Sequence, residues 1–255
     1  MADRVLRLTI IGSAAAWTRR AGHASSCYLL ELDGEGLVLD IGQGSFAALA
    51  ARREPKTLRA VLISHLHPDH GIDLIPFRHY LRFACDPPAS VELRAPRDLR
   101  PRYDVLLGQA DFLAELPGDP LEPGALELAP FAVTVGKIRH LDPSFGFRVA
   151  SLAMPRGPGL VYSGDCGHAD DLLPLIRPGD TLLSEAYFGA EPSVPEAHHL
   201  TAAEAARAAR DGRAARLVLT HLMDGTDEEA ALAAAGRVFQ GPVELARDGL
   251  ELSID

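Results

Sequence analysis

Short apolar runs, each closed by glycine, proline or acidic residues, recur along the whole chain and set its list of elements. Residues 5–11 read as a first strand. Residues 28–32 and 37–41 flank Asp33-Gly34-Glu35-Gly36 and read as a hairpin, with a helix over 45–53 behind it. The run Ala60-Val61-Leu62-Ile63 has the unbroken apolar character of a buried strand. Beyond Gly71, the spacing of Ile72, Ile75, Phe77, Tyr80 and Phe83 fits a helix that Pro76 kinks or delays, and His79 reads as an ordinary member of it. Between 87 and 130, prolines interrupt every pattern, and only a short strand over 91–94 and a helix near 99–107 stand out.

The second half is more regular. Residues 131–138 alternate and 145–150 alternate back, followed by short apolar strands over 160–163, 181–185 and 216–220. A proline-bearing loop precedes His198-His199, and Thr201-Ala202-Ala203-Glu204 is a capping box that opens an alanine-rich helix to about residue 210. Thr226-Asp227-Glu228-Glu229 starts a further helix. Residues 243–246 and 250–254, joined by Asp248-Gly249, read as a closing hairpin. Strands alternating with helices make this an α/β chain, and without internal repeat or low-complexity linker we expect one domain over 1–255.

Composition narrows the function. The 255 residues are 47% hydrophobic, enough for a large core, yet no window approaches the roughly 18 consecutive apolar residues of a membrane span. The opening residues show no signal-peptide core, so the expected location is cytoplasmic, with no membrane partner. Cys27, Cys85 and Cys166 are scattered without C-x-x-C spacing and read as small core residues. A formal net charge of −10 weighs against a dedicated binder of long nucleic acid but leaves room for a small anionic substrate. Homodimer formation stays open. Arg94, Arg97, Arg100 and Arg102 read as a solvated face, any of which could instead meet a substrate phosphate.

The densest chemistry is Ser64-His65-Leu66-His67-Pro68-Asp69-His70-Gly71, directly after the buried run. Three imidazoles and a carboxylate there are too many polar groups for a packed core and suit borderline metals such as zinc. His65 and His67, two apart, can point to one side of an extended turn, because Pro68 forbids a regular helix through the run; Asp69 and His70 can then face a second position. The same arrangement recurs downstream, where His140, Asp165 and His221 each sit just beyond an apolar strand. Asp40, after the first hairpin, reads either as a turn residue or as a support for such a site.

These residues resemble the signature of the metallo-β-lactamase superfamily, whose H-x-H-x-D-H motif stands here as His65 to His70. The resemblance covers nearly the whole chain and implies a four-layer αββα sandwich with two divalent metal ions, zinc first and manganese or iron as alternatives. It implies His65, His67 and His140 on one metal, Asp69, His70 and His221 on the other, and Asp165 between them. Within the superfamily, Ile11-Gly12-Ser13, Asp40-Ile41-Gly42-Gln43-Gly44, Phe145-Gly146-Phe147-Arg148, Ser163-Gly164-Asp165, Glu185-Ala186 and His199-Leu200-Thr201 are similar to the ribonuclease Z-like phosphodiesterases, including the small cyclic-nucleotide phosphodiesterases.

That likeness implies a phosphodiesterase for a small nucleotide-like or cyclic-nucleotide diester, in which water activated between two cations attacks the phosphoryl group. Asp69 would orient the water, His199 would protonate the leaving oxygen and Glu185 would orient His199; His198 is the other reading for the proton donor. A helix starting just after His199 disfavours its charged form, so Glu185 or a phosphate has to compensate. The alternatives are a thioester or lactone hydrolase, or a tRNA 3′-end endonuclease without the usual substrate arm, since no long Gly/Pro-rich insertion is present.

Overall fold

The computed structural model describes residues 5–192 and 198–255; the loop at 193–197 before His198 lies outside the described residues. In the first half the period of two sorts side chains to two faces. From β1 (Leu6–Gly12) and β2 (Cys27–Leu32), Leu6, Leu8, Ile10, Tyr28 and Leu30 go to one core while Ile11, Cys27 and Leu29 go to another. β3 (Glu35–Leu39) and β4 (Leu58–Leu62) repeat this, with Leu37, Leu39, Ala60 and Leu62 opposed to Val38 and Val61. A sheet covered on both faces needs such doubly apolar strands. β5 (Glu92–Arg94) extends it beside β4.

The outer core of this sheet is sealed by α1 (Ser45–Arg52), by α3 (Leu74–His79), which runs on as a π-turn over Tyr80–Ala84, and by α4 (Leu99–Leu107). The helix anticipated after Gly71 thus starts late, at Leu74, with Pro76 in its first turn, where a missing N–H is harmless. Ahead of it, α2 (Pro68–Gly71) is a single turn with Pro68 at its first position. No helix runs through His65 and His67, as Pro68 requires, and His67 is extended; Pro68 itself starts the turn, because the amide it lacks is one that a first turn leaves unbonded anyway.

Seven further strands make the second sheet: β6 (Gly124–Leu128), β7 (Phe131–Lys137), β8 (Phe145–Ser151), β9 (Leu160–Tyr162), β10 (Thr181–Glu185), β11 (Arg216–Thr220) and β12 (Val243–Leu245), hydrogen-bonded in that order. β6 to β9 are antiparallel, and β9 to β12 are parallel. β6 was not visible in the sequence, since only one of its five residues is buried and alternation therefore fails. On the outer face lie α5 (Ala202–Gly212), with the anticipated Thr201–Glu204 capping box, and α6 (Glu228–Gly236), capped by Asp227. The inner faces of the two sheets share one core in which Tyr28, Leu30 and Leu37 meet Phe131, Phe147 and Tyr162. The result is the αββα sandwich.

The closing hairpin does not form. β12 pairs with β11 in the second sheet, whereas β13 (Glu251–Ile254) pairs antiparallel with β1 and completes the first sheet in the order β13-β1-β2-β3-β4-β5. Asp248-Gly249 does turn the chain, with Gly249 at φ 89° donating to the Ile10 carbonyl. A turn signal fixes a local reversal but not which edge the following strand joins, and here the two strands bury their apolar residues in different cores. By contrast the Asp33-Gly34 hairpin stands, in a two-residue turn with both residues at positive φ.

Candidate metal centre

Every candidate ligand is carried to one end of the sandwich by a strand that runs out there. β4 leads through Ile63 and Ser64 to His65, β9 through Ser163 and Gly164 to Asp165, and β11 directly to His221. Glu185 is the last residue of β10, and His140 lies in the β7–β8 connection. His67 precedes α2, and Asp69 and His70 are inside its single turn. The two sheets are tied at this point, because the Phe145 N–H donates to the Ser64 carbonyl at 3.0 Å. Rigid strand ends hold side chains more firmly than a free loop could.

Ligand atoms from these elements converge. His65 Nε2 lies 3.1 Å from His67 Nδ1, which lies 3.3 Å from His140 Nε2. Asp165 Oδ2 stands 3.5 Å from His65 Nε2 and 3.8 Å from His140 Nε2. These four residues form one group able to hold a metal ion, and Asp69, His70 and His221 form a second. Asp165 lies between the groups: its Oδ1 is 3.2 Å from His70 Nε2 and its Oδ2 3.3 Å from His221 Nε2. Tetrahedral ligands at zinc bond lengths are about 3.4 Å from one another, the spacing these atoms already have.

The hydrogen bonds behind the ligands say which ring nitrogens are free. His70 Nδ1–H donates to Asp40 Oδ2 at 2.8 Å and His140 Nδ1–H to the His198 carbonyl at 2.7 Å, and His221 Nδ1 lies 3.1 Å from Ser26 Oγ, an acceptor within reach of its proton. Ser64 Oγ gives its proton to Asp40 and so accepts from His65 Nδ1 at 3.0 Å. Each of these four rings then turns an Nε2 lone pair toward the common centre. Among the described residues, His70 Nε2 and Asp165 Oδ1 are buried without a hydrogen-bond partner. Converging lone pairs and orphaned buried atoms are costly unless a cation stands among them, so the residues fit a pair of divalent metals.

Charge follows the same logic. Burial lowers the pKa of His65, His67 and His140, the last to about 4, which keeps these rings neutral and fit to ligate. At His70 burial is outweighed by Asp165 and Asp40, which raise it well above the ordinary histidine value: the two carboxylates call for a cation at this spot. Against its own burial, Asp165 is held well below the usual carboxylate range by His221, His70 and His65. Asp69 is fixed by the Ala16 N–H on its Oδ2 at 2.8 Å.

His199 and Glu185 stand beside this cluster. Glu185 is 1% exposed, its carboxylate accepting from Cys166 N–H, Tyr187 N–H and His199 Nδ1 at 2.9, 3.0 and 3.0 Å. His199 stacks on Tyr187, centroids 4.4 Å apart, and its Nδ1 is 4.0 Å from Asp165 Oδ2. It could be counted with Asp165 and His221 as a third metal group, but its Nδ1–H already belongs to Glu185. Burial would depress His199, and the Glu185 bond outweighs it, so the imidazole is raised above its ordinary value. Glu185 thus offsets the unfavourable helix end that follows. The His198 side chain is exposed; its carbonyl is what serves the site.

Asp40, Ser26, Ser64, Tyr162 and Tyr187 carry supporting roles that no spacing in the sequence announces, except the polar run after the first hairpin at Asp40. The cysteines are free and buried, and no helix among the described residues is long and apolar enough to cross a membrane.

The beta-lactamase superfamily domain matches residues 38–222, a span that contains every ligand of both groups. The chain belongs to the beta-lactamase superfamily. An uncharacterized protein of Mycobacterium leprae is 32% identical over 96% of this chain and 87% of its own length. A ribonuclease Z of Myxococcus xanthus is 29% identical over 98% of each. The crystal structure of the metallo-beta-lactamase fold protein YhfI from Bacillus subtilis matches with a TM-score of 0.86 at 25% identity, covering 98% of this chain and 99% of that one. With two donor groups at the end of this fold, the chain is a metallo-hydrolase of the superfamily.

Proposed function

We propose that this metallo-hydrolase is a phosphodiesterase for small nucleotide-like or cyclic-nucleotide diesters. The observation that carries the reading is the His199–Glu185 pair beside Asp165, because a phosphodiester with a poor leaving group needs a positioned acid, and hydrolysis of a thioester or lactone makes less demand on one. The likeness to a ribonuclease Z supports phosphoryl chemistry. The acidic chain favours a small substrate over long nucleic acid.

His65, His67 and His140 would hold one cation and Asp69, His70 and His221 the other, with Asp165 shared between them. Two bound divalent cations supply acidified water and neutralise charge on a phosphoryl group. Imidazole and carboxylate donors without thiolate suit zinc, with manganese or iron as the alternatives that metal analysis decides. Asp69, anchored by the Ala16 N–H, orients the attacking water. His199 keeps one N–H on Glu185 and carries the other, on Nε2, to the departing oxygen. Stacking on Tyr187 sets the plane of that ring. Free, buried cysteines suit the reducing cytoplasm.

In metal-loaded protein, His199→Ala should keep its metal content and lose about 10²–10⁴-fold in kcat on a diester with a poor leaving group. The loss should shrink with p-nitrophenolate, which departs without a proton. His198→Ala should change little. Equal losses with good and poor leaving groups would remove His199 from the acid role. Turnover of thioesters or lactones alone, in a panel with bis-(p-nitrophenyl) phosphate and cyclic nucleotides, would overturn the phosphodiesterase reading.

A further inference from the structure

The four arginines of the 94–102 segment have different fates. Arg94 donates to Glu92 and pairs with Asp119, Arg97 pairs with Glu122, and Arg100 donates to the carbonyls of Leu113, Leu116 and Gly118. Arg102, exposed on α4, has no partner for its guanidinium among the described residues. It lines instead a cavity of about 240 Å³ together with Leu66, Ile72, Leu99 and Leu106, and His65 and His67 line the same cavity. Tyr103 also lines it, but its hydroxyl is already given to the Gly71 carbonyl, so only its ring is offered.

One wall of this cavity is therefore two of the ligands of the first metal group, the remainder is apolar, and its rim carries an unpaired cation on a protein of net charge −10. An apolar pocket with a few convergent polar groups is the usual form of a small-ligand site, and pockets that enclose a whole drug-sized ligand measure about 300–1,000 Å³. This one is smaller and takes a single ring-sized substituent. Neither His199 nor Tyr187 lines it, so the substituent it takes is not the one that His199 releases. Leu106, 62% exposed, forms its lip and gains cover when the cavity is filled.

We propose that Arg102 and this cavity form the specificity subsite: the cavity takes one ring-sized aromatic or apolar substituent of the diester, the one retained on phosphorus, and Arg102 pairs with a non-bridging phosphoryl oxygen. The phosphodiester part of this proposal rests on the function proposed above; the anion-and-ring part is tested without turnover. Calorimetric titration of metal-loaded protein with phenylphosphonate should show binding weakened about tenfold in Arg102→Ala and partly restored in Arg102→Lys, the worth of one charge-assisted hydrogen bond at an exposed rim. In steady-state kinetics Arg102→Ala should raise KM by a similar factor and leave kcat nearly unchanged, with metal content intact. Leu106→Trp, which fills the cavity from a solvent-facing position, should raise KM for bis-(p-nitrophenyl) phosphate well above its effect on methyl p-nitrophenyl phosphate. Unchanged phenylphosphonate binding in Arg102→Ala, or equal effects of Leu106→Trp on the two diesters, would overturn the subsite. Arg102-dependent binding in a protein that hydrolyses only thioesters would sustain the subsite and overturn the phosphodiesterase function.

Discussion

At Asp40, one carboxylate takes four hydrogen bonds. Oδ1 accepts the Ser64 N–H at 2.6 Å, and Oδ2 accepts Ser64 Oγ, His70 Nδ1 and Tyr162 Oη at 2.7, 2.8 and 2.7 Å. Its backbone sits at φ 57°, in the left-handed region that aspartate tolerates better than most residues, as does that of the ligand His221 at 56°. Such conformations cost about 1–3 kcal/mol and persist where the surroundings fix them. Asp40 sets the His70 tautomer and, through Ser64, that of His65, so it acts on both metal groups without facing either. Asp40→Asn puts an NH₂ among donors. Metal affinity should fall by about 10–100-fold, measured by competition with a chromophoric chelator; an unchanged affinity would show that these bonds do not orient the ligands. The sequence could offer Asp40 only as a turn or supporting residue, since its Tyr162 partner lies 122 positions away.

Among elements, the short α2 turn shows how much of the site depends on close approach of backbones. A Cβ on Gly42 would stand 2.0 Å from the Asp69 carbonyl oxygen, so the polar run after β3 can lie against α2 only with glycine there. Behind α2, α3 is held by a second ionic cluster in which Arg78, a residue 4% exposed, donates from its guanidinium to Glu115 at 3.0 Å and covers the Phe112 ring. Arg82 donates to the same carboxylate at 2.7 Å. Burial alone would raise Glu115, but Arg82 and Arg78 hold it below its ordinary 4.5. A carboxyl lowered by folding stabilises above its unfolded pKa and loses that contribution as pH falls through the folded one. Glu115→Gln should therefore cost about 3 kcal/mol at about pH 7, by leaving Arg78 buried without its counter-charge. The gap from the parent in denaturant midpoint should narrow as pH falls below the ordinary carboxyl range and Glu115 takes up its proton; a gap independent of pH would mean that the charge of Glu115 is not what stabilises α3.

For the whole molecule, the centre is where the two sheets meet. His65, His70 and their support Asp40 come from the first sheet and its connections; Asp165, His221 and Tyr162 come from the second. A cation bound between them links the two halves of the sandwich in the folded state only, so it stabilises by mass action. Removing metal with a chelator should lower Tm by several degrees, and restoring about 100 Kd of zinc should return about 2.7 kcal/mol. An identical Tm with and without chelator, in protein shown by metal analysis to have lost its ions, would separate the site from the stability of the fold.

What the sequence determined by itself was the local part of the answer. Period-two burial, the Asp33-Gly34 turn and the Thr201–Glu204 cap placed most strands and helices, and the H-x-H-x-D-H run with His140, Asp165 and His221 after strands named the residues that the fold gathers. These are legible because each depends on neighbours a few positions apart or on residue types with few other uses. Which edge β13 joins, that β6 exists at all, and that Arg102, among the four arginines, is left without an acid or carbonyl partner on the cavity that His65 and His67 line depend on contacts between distant segments. An arginine has the same chemistry whether an acid across the fold takes it or not; only the packed chain supplies Asp119 to Arg94 and Glu122 to Arg97, and leaves Arg102 beside His65 and His67.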